Sequence, residues 1–485
     1  MSAIIVALNK NDEDATETAV AMLKTLDHKG TETFGVASPK IVKIEKTIEE
    51  LQRQNMNSPV IIGHTLSRIL STDKPQPLKL SDGTLVFAGR IYPTTSEISD
   101  VEVLVQKLDR KEAIENLFES DGCFAFAVAK SDKIITGRDI MGVNPFYYGE
   151  NLEFAALASE RKVLWKIGIK NANSFPPGHV ALVDKDGFQF KRVKTLRYSK
   201  EKQTTMQTAA KHLLKLLQQS VKERLSGLRD VAVAFSGGLD SSLIAFLAKN
   251  AGLDVHLIYA SLKNQSETEH AKKVAEEMKL PIHVYVYDEE DVQNVLSQVL
   301  WLIEEPDSVK TSIGVPFYWI AERAAQKGLR VMLAGQGADE LFGGYKRYVN
   351  DYSRYGGERV HKILFSDVRK MYETNFERDF KICNFHNVEL RLPFAGYKIA
   401  KFAIGLPVTL KVKLPDDGLR KLVLRQAAKY LGLPQFIVER PKRAIQYATG
   451  VNKVLKKLAN KKGLPLNEYL HRIFQVLLQR MKEND

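Results

Sequence analysis

The sequence predicts two domains of different class: an α+β layered sandwich over residues 1–195, then an α/β doubly wound domain over residues 196–485. Three observations carry this reading. A chain of 485 residues is too long for one ordinary hydrophobic core. The first part strings apolar runs between Asp-Gly and Pro-Gly turns, whereas the second alternates short apolar runs with helical periodicity. A polar stretch at Ser199–Thr205 separates the two patterns.

In the first domain, Ala3–Leu8, Val60–Gly63, Leu85–Gly89 and Cys123–Val128 read as strands, with turns at Asp82-Gly83, Pro177-Gly178 and Asp186-Gly187. Such runs suit layered antiparallel sheets. The second domain opens with an amphipathic helix, Ala209–Leu225, which places Leu213, Leu214, Leu217 and Val221 on one face. Strand Val231–Phe235, helix Ser242–Ala251, strand Val255–Ala260 and helix Glu269–Lys279 follow. Strand Ile282–Tyr287, a helix from Pro316 to Lys327 and strand Arg330–Ala334 continue the alternation. This pattern calls for a parallel sheet with helices on both faces.

Composition narrows the class. A hydrophobic fraction of 44% and a charged fraction of 27% are those of a soluble globular protein. No run approaches the roughly 20 apolar residues that span a bilayer, and the apolar Met1–Leu8 segment reads as a first strand and not as a signal peptide. A cytoplasmic location without membrane partners is the expectation. The two cysteines, Cys123 and Cys383, read as buried thiols; their number excludes a disulfide framework and argues against zinc. The net charge of +13 raises nucleic acid as a partner. Most of that charge is dispersed, with clustering at Lys442, Arg443, Lys453, Lys456, Lys457, Lys461 and Lys462, and a solvated helix face explains it more simply. Abundant Lys and Glu would also suit a thermophile.

The motif that carries chemistry is Ser236-Gly237-Gly238-Leu239-Asp240-Ser241-Ser242, between a strand and a helix. Two glycines let backbone N–H groups approach an anion at the positive end of the helix dipole, and Ser236, Ser241 and Ser242 add hydroxyl donors. A carboxylate in a phosphate cradle needs a cation, so Asp240 reads as a Mg²⁺ ligand. The GxxxxGK[ST] spacing of the Walker A loop is absent. The loop resembles that of the N-type ATP pyrophosphatases, which implies cleavage of ATP to AMP and pyrophosphate.

Further segments resemble the asparagine synthetase family across most of residues 210–450. They are Leu333-Ala334-Gly335-Gln336-Gly337-Ala338-Asp339-Glu340-Leu341-Phe342-Gly343-Gly344-Tyr345, Trp301–Asp307, Ile313–Pro316, Asn387–Phe394, Lys421–Ala428 and Arg440-Pro441-Lys442. The resemblance implies an AMP-forming carbon–nitrogen ligase, with asparagine biosynthesis as its default setting. Its cofactors would be ATP and Mg²⁺, and its substrates a small carboxylate (aspartate by default) and ammonia or another amine. Asp339 would join Asp240 on the metal, Lys442 would face the acyl-adenylate and pyrophosphate, and Ala234, Tyr259 and Gly335 would lie along the nucleotide with the loop. Gln336 stands where the family's asparagine makers carry Glu and its β-lactam makers Tyr; a glutamine side chain is no general base. The loop after Lys442 also departs from the family, running Arg443-Ala444-Ile445-Gln446-Tyr447-Ala448-Thr449-Gly450.

The first domain resembles the family's class II glutaminase domain, of Ntn-hydrolase type. The resemblance lies in Lys29–Val36, Phe87–Tyr92, Ser99–Glu102, Gly137–Tyr147, Ala158–Glu160 and Pro176–Gly178. Its catalytic parts differ. Ser2 stands for the nucleophilic Cys, Ala88 for the oxyanion-stabilising Asn, and Arg90 for the acidic substrate clamp, while Asp100 persists. Glutamine hydrolysis is therefore not expected, and the domain becomes a scaffold or binding surface, with a homodimer open as an assembly. Two other readings compete: an ATP pyrophosphatase acting on RNA in tRNA modification, and a non-catalytic regulatory relative. Neither an RNA-binding module nor a catalytic thiol pair supports the first, and the retained Ser236, Asp240, Asp339 and Lys442 argue against the second.

Overall fold

The architecture comes from a computed structural model that describes residues 2–28, 30–93, 97–109, 114–414, 418–441 and 449–483. The chain forms two compact units, one of residues 1–195 with 384–387, the other of residues 196–383 and 388–483.

Among the described residues, the first unit holds two antiparallel sheets. The seven-stranded one runs in space Asn173–Ser174, Tyr147–Glu150, Phe154–Ala158, Ser2–Asn9, Val60–Leu66, Thr33–Ala37, Val42–Glu45. The six-stranded one runs Gly187–Arg192, His179–Asp184, Ile134–Arg138, Asp121–Ala129, Gly83–Tyr92, Leu78–Leu80. Strand Ser2–Asn9 explains the layering. Its Ala3, Ile5 and Ala7 join one apolar cluster, under helices Thr16–Thr25 and Arg161–Lys166. Its Ile4, Val6 and Leu8 point the other way, into the cluster shared with Val86, Ala88, Ala125 and Ala127 of the second sheet. A strand alternates its side chains between faces, so two covered faces require an unbroken apolar run. Helix Asp100–Asp109 packs on the strand Gly83–Tyr92 and completes helix, sheet, sheet, helix layers.

His64, on Val60–Leu66, lies inside this unit with neither ring nitrogen hydrogen-bonded. Burial disfavours the imidazolium and pulls its pKa from 6.5 down to about 3. A basic group depressed in this way stabilises the fold fully above the ordinary histidine value and loses that contribution as pH falls toward the folded value. Acidification below about pH 6.5 should therefore cost this unit up to about 1.4 kcal/mol per pH unit. Chemical denaturation between about pH 7 and pH 5 checks it, with His64→Leu expected to flatten the acid limb. An equally steep limb in the variant would sink the assignment.

The second unit is built on five parallel strands in the order Ile282–Tyr287, Asp254–Leu262, Asp230–Ala234, Val331–Leu333, Glu389–Arg391. In chain order this is third, second, first, fourth, fifth. The direction of winding reverses between Asp230–Ala234 and Val331–Leu333, and ligands of such sheets bind at the carboxyl ends beside that switch. Helices Leu239–Asn250 and Ser308–Gln326 each pack against the two strands Asp230–Ala234 and Asp254–Leu262. One expected boundary is corrected. The helix expected to start at Pro316 begins at Ser308, because Asp307 caps it by accepting the Lys310 N–H at 2.7 Å, and it runs through Pro316. The fifth strand, Glu389–Arg391, pairs with Val331–Leu333 and was not apparent from its three residues. No helix among the described residues is long and apolar enough to cross a membrane.

Candidate active site

Both motif segments leave neighbouring strands at the switch. Ser236–Asp240 follows Asp230–Ala234, and Gly335–Asp339 follows Val331–Leu333; the strands pair in register at Ala232–Met332 and Val233–Leu333. Two carboxylates far apart in sequence therefore emerge side by side.

The loop is held by its own polar groups. The Ser236 N–H donates to Ser241 Oγ at 3.2 Å, the two serine hydroxyls lie 3.1 Å apart, and the Gly238 N–H donates to Ser236 Oγ at 3.3 Å. Gly237 turns with φ 68°, a left-handed conformation that favours glycine, and a Cβ there would stand in tight contact, 3.0 Å from the Ala271 Cα. The 12-residue helix Leu239–Asn250 then starts without a side-chain cap. Its first-turn N–H groups remain available to an anion.

Lys421 joins the carboxylates. Its Nζ lies 2.5 Å from Asp240 Oδ2 and 2.6 Å from Asp339 Oδ1, with the lysine side chain 3% exposed. Burial opposes charge on Lys421, but Asp240 and Asp339 outweigh it and raise its pKa above the ordinary lysine value. The residue adopts φ 61°, a left-handed conformation that costs a non-glycine residue roughly 1–2 kcal/mol. Glycines make room for the cluster. A Cβ on Gly335 would stand 2.9 Å from the Asp240 Cβ, and one on Gly344 would collide with both Asp339 Oδ1 and Lys421 Cε.

A cavity of about 730 Å³ opens over this cluster. Ala234, Ser236, Gly238, Asp240, Ser241, Gly335, Gln336 and Asp339 line it, as does Lys421. Three residues expected at the nucleotide are not among its lining. Gly237 packs on Ala271, Ser242 buries its hydroxyl, and Tyr259 is 4% exposed with its hydroxyl 3.4 Å from Thr268 Oγ1. Lys442 lies outside the described residues, although Arg440 and Pro441 reach the cavity.

At the cavity wall, Gln336 Nε2 donates to Asp379 Oδ2 at 2.6 Å. Asp379 is fully buried and takes two further bonds from Arg378, Nε to Oδ1 at 2.7 Å and Nη2 to Oδ2 at 2.9 Å. Burial raises the Asp379 pKa, opposed by Arg378 and Gln336. Glu340 accepts from the Tyr345 hydroxyl at 2.6 Å and from Asn375 Nδ2 at 2.8 Å; burial and the Asp339 charge raise its pKa. Lys421, Arg378 and Asp379 went unassigned from sequence. Lys421 had one signal, its place at the head of a family-like helix.

Asp240 and Asp339 fit a magnesium ion. One ammonium touches both, so one small cation can reach both, and their donors are all oxygen, as Mg²⁺ prefers. No group of three or more His, Cys, Asp or Glu is arranged for a metal among the described residues. Such an ion would draw its remaining ligands from phosphate and water.

In the first unit, Arg90 Nη2 donates to Asp73 Oδ2 at 2.9 Å and Nη1 to Asp100 Oδ2 at 3.2 Å, while the Asp100 Oδ1 accepts the Ile91 N–H at 2.9 Å. The Ala88 carbonyl accepts from Asn144 Nδ2 at 2.9 Å.

An amidotransferase-type sandwich preceding a doubly wound unit with this loop and paired carboxylates defines the class as ATP-dependent amide ligases. The chain belongs to the asparagine synthase family. Residues 212–356 and 352–480 match the asparagine synthase family, and residues 64–166 match the glutamine amidotransferase domain. A protein of Methanocaldococcus jannaschii, whose own description as a glutamine-hydrolyzing asparagine synthetase is provisional, is 30% identical over 97% of each chain. Arabidopsis thaliana glutamine-hydrolyzing asparagine synthetase 2 is 25% identical, over 82% of this chain and 73% of that one. A probable glutamine-hydrolyzing asparagine synthetase of Schizosaccharomyces pombe is 25% identical, over 87% of this chain and 84% of that one.

Proposed function

We propose that this chain is an AMP-forming amide ligase that activates a small carboxylate, aspartate by default, and joins it to ammonia or an amine without hydrolysing glutamine. The observation that carries the reading is the Asp240–Lys421–Asp339 cluster at the uncapped start of helix Leu239–Asn250. An oxygen of the acid attacks the α-phosphorus of ATP, the α–β P–O bond breaks, and pyrophosphate leaves with the electron pair. The helix N-terminus and Lys421 bind the departing phosphates, and their fixed positive charge stabilises the transition state more than the ground state. Bound magnesium would neutralise phosphate charge, held by Asp240 and Asp339. Lys442 would add a cation over the same phosphates. Nitrogen then attacks the acyl carbon, the C–O bond to AMP breaks, and the amine proton passes to solvent.

Three features of the first unit support a nitrogen source other than glutamine. Ser2 replaces the expected thiol and Ala88 offers no side-chain donor. Arg90 also already engages Asp100, the retained acidic residue.

A pyrophosphate-release assay with Mg-ATP, an array of small acids and tRNA, and ammonia or glutamine as nitrogen source tests this reading. Release should depend on one acid class, ammonia should yield amide, and glutamine should yield no glutamate. Acid-independent release, tRNA-dependent release or glutamate accumulation would each overturn it.

A further inference from the structure

We propose that the strand Ile282–Tyr287 is a self-association edge, through which two copies of the chain pair antiparallel about a twofold axis at Val284 and join their five-stranded sheets into one. Only the sheet of the second unit is involved, not its cavity.

This strand ends the sheet, so among the described residues only Asp254–Leu262 pairs with it. The bonds at its two ends fix which way its peptide groups point. The Pro281 carbonyl accepts the Leu257 N–H at 2.9 Å, and the Tyr287 carbonyl accepts the Lys263 N–H at 2.9 Å. Alternate residues of a strand bond to opposite sides, so the odd-numbered residues here face the sheet. Ile282, Val284 and Val286 therefore turn both N–H and C=O outward.

That outward row is unguarded. Natural edges are commonly blunted by lysine, proline or a bulge. Residues 282–287 contain neither Lys nor Pro, and their register with the neighbouring strand is unbroken. Val286 is 49% exposed and Ile282 and Val284 are half-buried, whereas Val231, Ala232 and Val233 of the central strand are fully buried. The other face is already fixed. Tyr287 stacks on Trp319 with ring centroids 4.0 Å apart, and its hydroxyl accepts from Arg323 Nε at 2.9 Å. An edge held this rigidly loses little freedom on pairing.

The occupant is a second copy because the edge complements itself. An antiparallel neighbour bonds by setting outward-facing residues opposite one another. With Val284 opposite its own copy, Ile282 meets Val286, and every outward-facing residue of the strand exchanges both its bonds. The β-branched side chains of these pairs then cover one another on one face of the sheet. Sliding the pair by two residues in either direction leaves one of the three facing a residue outside the strand. The same register brings the exposed Lys279, just before the strand, to the end where Asp288, Glu289, Glu290 and Asp291 follow the partner's strand.

Sedimentation of the full chain over a range of concentrations tests the proposal. A six-residue edge is a small interface, so a dimer with a dissociation constant on the order of micromolar is expected. Val284→Pro removes an N–H that faces solvent in the single chain, so the fold should survive. Association should weaken at least about tenfold, the effect of leaving its partner carbonyl unbonded. Val284→Lys and Val284→Glu each set like charges on the axis and should weaken association similarly. Mixed in equal amounts, those two variants should associate again, because each then meets the opposite charge. If Val284→Pro fails to fold, the charged pair decides alone. A monomeric wild-type chain, a folded Val284→Pro chain that associates as wild type does, or a Lys–Glu mixture no better than either variant would each overturn the proposal. None of these readouts depends on catalysis.

Discussion

Lys421→Ala is expected to lower folding stability by about 3 kcal/mol, the lower end of the range for removing one partner from a buried ion pair. The substitution leaves Asp240 and Asp339 facing each other without the cation that now touches both. Each carboxylate retains 17% exposure, which is why the lower end applies. Activity should fall further, by roughly 10²–10³ or more in pyrophosphate release, the effect of deleting one group that stabilises transition-state charge. Since the folded pKa of Lys421 is raised, its contribution is complete at neutrality. It is lost only as pH climbs past the ordinary lysine range and through the raised value. Magnesium should restore part of the variant's stability by occupying the space between the carboxylates. Urea denaturation with and without magnesium checks both points, and a midpoint equal to wild type would remove Lys421 from this role. Lys421→Arg should not rescue, because a planar fork does not fit a site shaped for a point charge.

Gly344→Ala is expected to disable the same cluster from the other side. Its Cβ would enter the space of Asp339 Oδ1 and Lys421 Cε at once. Neither group can retreat cheaply: Lys421 is buried, and the Asp339 carbonyl accepts the Gly344 N–H at 2.8 Å. Overpacking of this kind costs roughly 1–3 kcal/mol. Displacing a catalytic group by about 1 Å costs about 10²-fold in rate. The neighbouring Gly343→Ala serves as a contrast, since there the penalty is a left-handed φ of 72° and contact with Val412 and Lys411. It should destabilise the chain without a comparable loss of pyrophosphate release per folded molecule. Steady-state rates normalised to folded protein separate the two, and a Gly344→Ala chain with wild-type turnover would contradict the geometry.

The loop from Ser236 to Ser242, with Asp240, was legible because local rules fix it, whereas Asp339 was legible only through the family resemblance of the segment Leu333–Tyr345. Apolar runs alternating with helical ones dictate parallel strands, and such sheets bind at their carboxyl ends. Lys421 was not legible as the third member. It sits 181 residues from Asp240, and nothing local marks a lysine for a left-handed backbone and a buried ammonium. Asp379 was hidden for another reason. Glu377, Arg378, Asp379 and Lys381 look like a solvated helix face, yet each is at most 3% exposed. Lys381 pairs with Glu304 at 2.6 Å, as Arg378 pairs with Asp379, and it is such pairing that lets charged groups lie inside. Tyr259 and Ser242 differ from expectation in where their side chains point. They belong to elements at the site, but their side chains point into the packing around it, and sequence proximity does not report direction.

The strand Ser2–Asn9 has a consequence for how the chain comes into being. It hydrogen-bonds to Val60–Leu66 on one side and Phe154–Ala158 on the other, and both of its faces are covered. During translation this apolar segment emerges before its second neighbour, which follows on the order of ten seconds later at about 5–20 residues per second. Until then the strand has an open edge and uncovered side chains, a nascent state prone to pairing with other chains. Partner strands so distant in sequence make assembly of the sandwich slow and late. Demand for chaperones should therefore concentrate on synthesis of this first unit.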